Sequence, residues 1–130
     1  MEILIKKLNE NAKLPSYERE ASSGIDLYSL QEVDVAPGEK KRIQTGIAMA
    51  MPVGYIGLIS CQHGMGSDKP IKVTPARLDS SYREEVTVEI ENKGNDNWRF
   101  FAGDKIAELL VQKVHHALII EAEDLSPAAE

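Results

Sequence analysis

Asp79, Tyr82 and Arg83 lie close together in Ala76–Glu84, A-R-L-D-S-S-Y-R-E, between two alternating apolar runs. In a tight β-hairpin the Asp79 carboxylate and the Tyr82 ring would face one small space. A carboxylate can act as general base on a water, and an aromatic ring can floor a sugar or a base. The same residues also suit a polar turn in which Tyr82 is only a half-buried strand residue. The elements around them decide between these readings.

Those elements read mostly as strands. Ile3 and Ile5 alternate, Ile25–Ser29 alternates again after Ser22–Gly24, and Val33 and Val35 run up to the turn at Pro37-Gly38. Lys41–Met51 reads as one strand, ended by Pro52-Val53-Gly54, and Tyr55–Ser60 as a short apolar one. Cys61–Pro70, with two glycines and a proline, is too broken for a helix of any length. Glu85–Asn92 places Val86, Val88 and Ile90 on one face, and Trp98–Phe101 leads to Gly103-Asp104. Ile106–Val114 also has helical spacing, but the preceding turn and the surrounding strands favour a strand. Many short strands punctuated by Pro and Gly give an all-β barrel or sandwich. We read residues 1–125 as one domain and 126–130 as a flexible tail.

A chain of 130 residues buries a real core without staples, since roughly 68% of its surface leaves water on folding. A net charge of −6 without a basic stripe argues against a duplex nucleic-acid binder but is compatible with a small anionic ligand in a local pocket. Cys61 is alone, so no disulfide framework is expected and a reducing cytoplasm fits. No run approaches a membrane span, and M-E-I-L-I-K-K-L has no signal-peptide core, so no membrane partner is expected.

Four segments, in order, resemble the trimeric dUTP diphosphatase (dUTPase) family over nearly the whole chain. Ala21–Ser29 is similar to its first motif and Pro52-Val53-Gly54-Tyr55-Ile56-Gly57 to the step before its second. Leu78-Asp79-Ser80-Ser81-Tyr82-Arg83 is similar to the third and Gly103–Leu109 to the fourth. The resemblance implies a distorted jelly-roll β-barrel, a homotrimer with a site at each subunit boundary, and a C-terminal arm passed to a neighbour. It implies that the third-motif hairpin holds uracil by main-chain hydrogen bonds. By the same resemblance Asp79 orients the water that attacks the α-phosphorus, Tyr82 packs on the deoxyribose and excludes a 2′-hydroxyl, and Asp26 lies on the side of a hydrated Mg2+, an ion called for only where a polyphosphate is bound.

The phosphate side departs from the family pattern. The family's P-R-S-G is Cys61-Gln62-His63-Gly64 here, so a neutral amide replaces a cationic fork and His63 stands at the Ser position. The fourth-motif Gln is Glu108, the Gly that opens the third motif is Ala76, and the Gly after Tyr-Arg is Glu84. Leu118–Glu130 shows no Gly-rich arm with an Arg. Two fewer cationic contacts, each commonly worth about 10²–10³ in rate, give an expectation of weak turnover. The expected function is therefore a nucleotide-binding protein that holds a nucleotide or nucleotide-derived signal with little or no hydrolysis, through Leu78, Tyr82, Arg83, Gln62, His63, Gly64 and Glu108. The alternative is a dUTP diphosphatase with Asp79 as its catalytic residue; a third reading is a structural trimer with an empty site.

Other residues have plain readings. Cys61 suits packing better than nucleophilic chemistry, having no zinc-ligand spacing to a histidine. His115-His116 suits a strand end at the surface, Trp98, Phe100 and Phe101 a core or a subunit contact, and Lys40-Lys41-Arg42 a solvated strand edge.

Overall fold

A computed structural model describes residues 1–60 and 70–128. Among them there is no helix, so none is long and apolar enough to cross a membrane. The described strands are β1 (Leu4–Lys7), β2 (Ser16–Tyr17), β3 (Ile25–Tyr28), β4 (Val33–Val35), β5 (Lys40–Gln44), β6 (Ile47–Ala50), β7 (Tyr55–Ser60), β8 (Ile71–Val73), β9 (Ala76–Leu78), β10 (Thr87–Asn92), β11 (Trp98–Phe100) and β12 (Lys105–Lys113). All pair antiparallel, as β2-β3-β12-β7-β9, β5-β10-β8, β1-β6 and β11-β4. These sheets wrap one core, a distorted jelly roll in which non-consecutive strands lie side by side.

Alternation builds that core. Ile25 and Leu27 on β3, Ala107 and Leu109 on β12, Ile59 on β7 and Leu78 on β9 point inward from the largest sheet. They meet Ile43, Ile71, Val73, Val88 and Ile90 of the three-stranded sheet, all buried. Gly57 lets β7 and β12 close up: a Cβ there would lie 2.7 Å from Leu109 Cδ1 and 3.0 Å from Met51 Cε. Gly57→Ala should overpack this contact and cost about 1–3 kcal/mol, seen as a lower urea midpoint with an unchanged m-value.

Two sequence expectations are corrected. Lys41–Met51 is not one strand: it breaks at Thr45-Gly46 into β5 and β6. Gly46 has φ +74°, and a Cβ on it would lie 2.9 Å from Leu30 Cδ1, so this break requires glycine. Nor is Ala76–Glu84 a paired hairpin. β9 pairs with β7, whereas β10 pairs with β5 and β8, so the Asp79–Tyr82 segment crosses between two sheets. Alternation marked the flanking strands correctly, but it carries no information on which neighbour each one chooses. The Ile106–Val114 run is strand β12, as its context indicated.

Candidate functional site

β9 ends at Leu78, and a β-turn follows in which the Tyr82 N–H donates to Asp79 O at 3.1 Å. The Leu78 side chain is buried in the core, so only its main chain is available to a ligand. The Tyr82 hydroxyl donates to Glu85 O at 2.8 Å, and its ring, partly buried, packs against the core. Arg83 Nη1 donates to Ser80 O at 2.7 Å and to Tyr82 O at 2.9 Å, stapling the turn. Asp79 is exposed, and among the described residues nothing bonds to its carboxylate. Among the described residues β9 is also the edge of its sheet, and its side away from β7 has no strand partner. An unpaired strand edge offers main-chain donors and acceptors to an incoming planar group.

A second group lies on the outer face of the same sheet. Ser16, Asp26, Glu108 and Ser60 are directly opposite one another across β2, β3, β12 and β7, which puts them in one row on one face. Asp26 is only 2% exposed because the chain before β3 covers it. In that cover Ser16 Oγ meets Tyr28 Oη at 2.7 Å, and Lys13 Nζ sits 4.1 Å from the Tyr28 ring centre. Lys105 Nζ lies 3.1 Å from Asp26 Oδ2 and 3.3 Å from Glu18 Oε1. That Asp26 oxygen has no hydrogen-bond partner among the described residues beyond this ion pair. The Asp26 carboxylate holds the Lys105 ammonium above its ordinary value, Glu18 adds to this, and partial burial opposes it.

A bulge makes the ion pair. β12 shifts register between Lys105 and Ala107. Lys105 lies opposite Tyr28 and Glu108 opposite Asp26, so these two residues, three apart, share the outer face. A regular strand would send them to opposite faces. Gly24 completes the corner: a Cβ there would lie 2.9 Å from Glu108 Cδ. Adjacent carboxylates suit a hard divalent cation such as Mg2+. No group of three or more His, Cys, Asp or Glu side chains converges for a metal among the described residues, so an ion here would keep most of its water.

The structure brings Asp26 and Glu108 together, and Asp79, Tyr82 and Arg83 together, but separates the two groups. Leu78 lies opposite Gly57, so Asp79 is level with Ile56, while Glu108 lies opposite Ser60. Four residues of strand amount to roughly 13 Å at the ordinary rise. Gln62, His63 and Gly64 lie outside the described residues; in sequence they follow Ser60, next to the Asp26–Glu108 row. Sequence reasoning missed Lys105 as the partner of Asp26, and Glu18 as the second carboxylate on Lys105, because only the bulge turns Lys105 to that face. His115 and His116 are exposed beyond β12, as expected. Phe100 is buried and Trp98 packs on the core beside it, rings 6.3 Å apart, whereas Phe101 is exposed.

The dUTPase family profile matches residues 10–130. The chain is 38% identical to a deoxyuridine 5'-triphosphate nucleotidohydrolase of Nautilia profundicola, over 97% of this chain and 90% of that one. This chain belongs to the dUTPase family. A second nucleotidohydrolase of the same description, from Helicobacter pylori strain P12, is 34% identical over 96% of this chain and 88% of its own length. Among solved structures, a dUTPase from phage phi11 of S. aureus superposes with a TM-score of 0.87 at 21% identity, covering 95% of this chain and 98% of that one. A Staphylococcus bacteriophage 80alpha dUTPase with dUpNHpp gives 0.89 at 21%, covering 99% and 92%. The dUTPase jelly roll expected from the motifs is therefore the fold observed. The phi11 protein coordinates a structural Mg(II) ion. Nothing in these likenesses supports holding a nucleotide without hydrolysis: the relatives are named as nucleotidohydrolases.

Proposed function

We propose that this dUTPase-family protein hydrolyses dUTP to dUMP and pyrophosphate at sites formed between subunits of a homotrimer. The carrying observation is the Asp79–Tyr82 turn: an exposed carboxylate, without a partner among the described residues, beside an aromatic ring whose hydroxyl is already bonded. The Asp79 carboxylate accepts a proton from a water as the water oxygen bonds to the α-phosphorus. The bond from that phosphorus to the bridging oxygen breaks, and pyrophosphate leaves. The free edge of β9, including the Leu78 main chain, reads the uracil, and the Tyr82 ring lies against the deoxyribose. Arg83 holds the turn in shape. Asp26 and Glu108 on the second face would hold a hydrated Mg2+ carried in with the polyphosphate. When bound, that ion supplies charge neutralisation to the phosphates. Gln62, His63 and Gly64 would complete the phosphate loop.

The separation of the two groups supports a site shared between chains. So do unpartnered apolar surfaces. Leu58 and Leu110 lie opposite each other on the outer face of the large sheet, and Leu118, Ile119 and Ile120 are 86%, 87% and 74% exposed. A groove of about 370 Å³ lined by Ile3, Ile5, Tyr17, Ile25, Met49 and Val111 would receive such a segment from a neighbour. The lone Cys61 and a nucleotide substrate favour a cytoplasmic setting.

The test is incubation with dUTP and Mg2+, with nucleotides chromatographed before and after heat-denaturing the protein. Appearance of dUMP and pyrophosphate is the expected result. Intact dUTP that leaves solution and returns on denaturation would replace hydrolysis with sequestration. Intact dUTP that never binds would overturn the substrate assignment.

A further inference from the structure

We propose that Glu85 is a positioning residue that fixes the Tyr82 ring and thereby sets selectivity for the 2′-deoxy sugar; this rests on the functional reading above. Its carboxylate is held on both oxygens by the end of the neighbouring strand β5 and the residues just after it. Oε2 accepts the Gly46 N–H at 2.9 Å, and Oε1 accepts from Gln44 Nε2 at 3.2 Å. Both donors flank the break between β5 and β6. The Gly46 N–H is directed at Glu85 in a segment where Gly46 has φ +74°, so the break presents this donor to the carboxylate. The adjacent Val86 is fixed by the same break. Thr45 Oγ1 donates to Val86 O at 2.6 Å, and the Val86 N–H donates to Ile47 O at 2.9 Å.

Glu85 is in turn what Tyr82 rests on. The tyrosine hydroxyl makes its hydrogen bond to the Glu85 carbonyl, not to a side chain that could swing away. A ring tethered at its tip to anchored main chain, with its body against the core, has one orientation. Discrimination against a single extra hydroxyl needs that rigidity, because a ring free to tilt admits the larger sugar. Without the carboxylate, the Gly46 N–H loses its acceptor, the Glu85 main chain loosens, and the ring loses its fixed tether.

The experiment measures the dissociation constants of α,β-imido-dUTP and α,β-imido-UTP, a readout independent of turnover, for the unsubstituted protein and for Glu85→Ala, Glu85→Gln and Thr45→Val. Misplacement of a positioned group by a fraction of an ångström costs on the order of ten-fold, so Glu85→Ala should lower the preference for the deoxy analogue about ten-fold. Glu85→Gln, which keeps an oxygen for the Gly46 N–H, should retain most of the preference. Thr45→Val loosens the same junction without touching the Glu85 carboxylate, and should lower Tm with the preference intact. An unchanged preference in a folded Glu85→Ala protein, or an equal loss in Thr45→Val, would overturn the proposal and reduce Glu85 to a fold-stabilising residue. Failure of the unsubstituted protein to bind either analogue would instead overturn the functional reading and this inference with it. Binding without turnover would overturn hydrolysis alone.

Discussion

Replacing Asp79 with Asn should lower kcat for dUTP by about 10³-fold while changing affinity for a non-hydrolysable analogue by no more than about two-fold. The asymmetry follows from where the side chain sits. Asp79 is exposed, and among the described residues its carboxylate makes no hydrogen bond or ion pair, so the amide breaks no contact of the fold. The turn is held by other atoms, the Tyr82 N–H on Asp79 O and the Arg83 guanidinium on two carbonyls, all untouched by the change. An amide of the same shape can still hydrogen-bond a water but cannot take its proton as the oxygen closes on phosphorus. Pyrophosphate release followed over time, with Tm measured on the same samples, checks this. Retained turnover at unchanged Tm would remove Asp79 from the chemistry. A loss that tracks a fall in Tm would make the residue structural.

The legibility of this chain in its sequence divides along a physical line. Alternation located β3, β4 and β10, because a half-buried strand must place every second side chain in the core. The compact motifs singled out Asp79, Tyr82, Asp26 and Glu108 as candidates, because each motif is a local run whose order survives without knowledge of the fold. Strand partnership was not legible: Ala76–Glu84 has the residues of a hairpin, yet its two flanks join different sheets. That choice is made by what each flank buries, Leu78 beside Gly57 and Val88 beside Ile43, and these contacts are distant in sequence. The Lys105–Asp26 pair was hidden for a related reason. Counting residues along β12 sends Lys105 to the wrong face, and only the register shift before Ala107 restores it. The expectation of weak turnover counted each departure from the family's cationic positions, Gln62 among them, as a lost contact. The relatives at 34–38% identity, named as nucleotidohydrolases, favour the dUTP diphosphatase reading over that expectation.

Two inactive variants should regain activity when their subunits are mixed. Asp26→Asn is predicted to lower turnover by about 10²-fold by weakening charge neutralisation on the phosphate side. Asp79→Asn removes the base on the other. Each alone leaves every site with one defective half. Within one chain Asp79 is level with Ile56, while Asp26 and Glu108 are in register with Ser60, at the opposite end of β7. A boundary that takes Asp79 from one subunit and the Asp26–Glu108 face from the next can therefore draw both intact halves from different variants. Random assembly from an equal mixture restores about a quarter of the boundaries, because each draws its two halves independently in a head-to-tail ring. The asparagine at position 26 keeps the buried shape, and Lys105 keeps Glu18 as a partner, so the subunits remain able to assemble. Co-expression of the two variants, with specific activity compared against each purified alone, gives the answer. Recovery to about a quarter of the unsubstituted activity, with each parent far below it, establishes that neighbouring chains share the site. No recovery in trimers shown to contain both chains would place the whole site within one subunit, and would require Asp79 to reach its phosphate partners by a rearrangement of the β7–β9 edge.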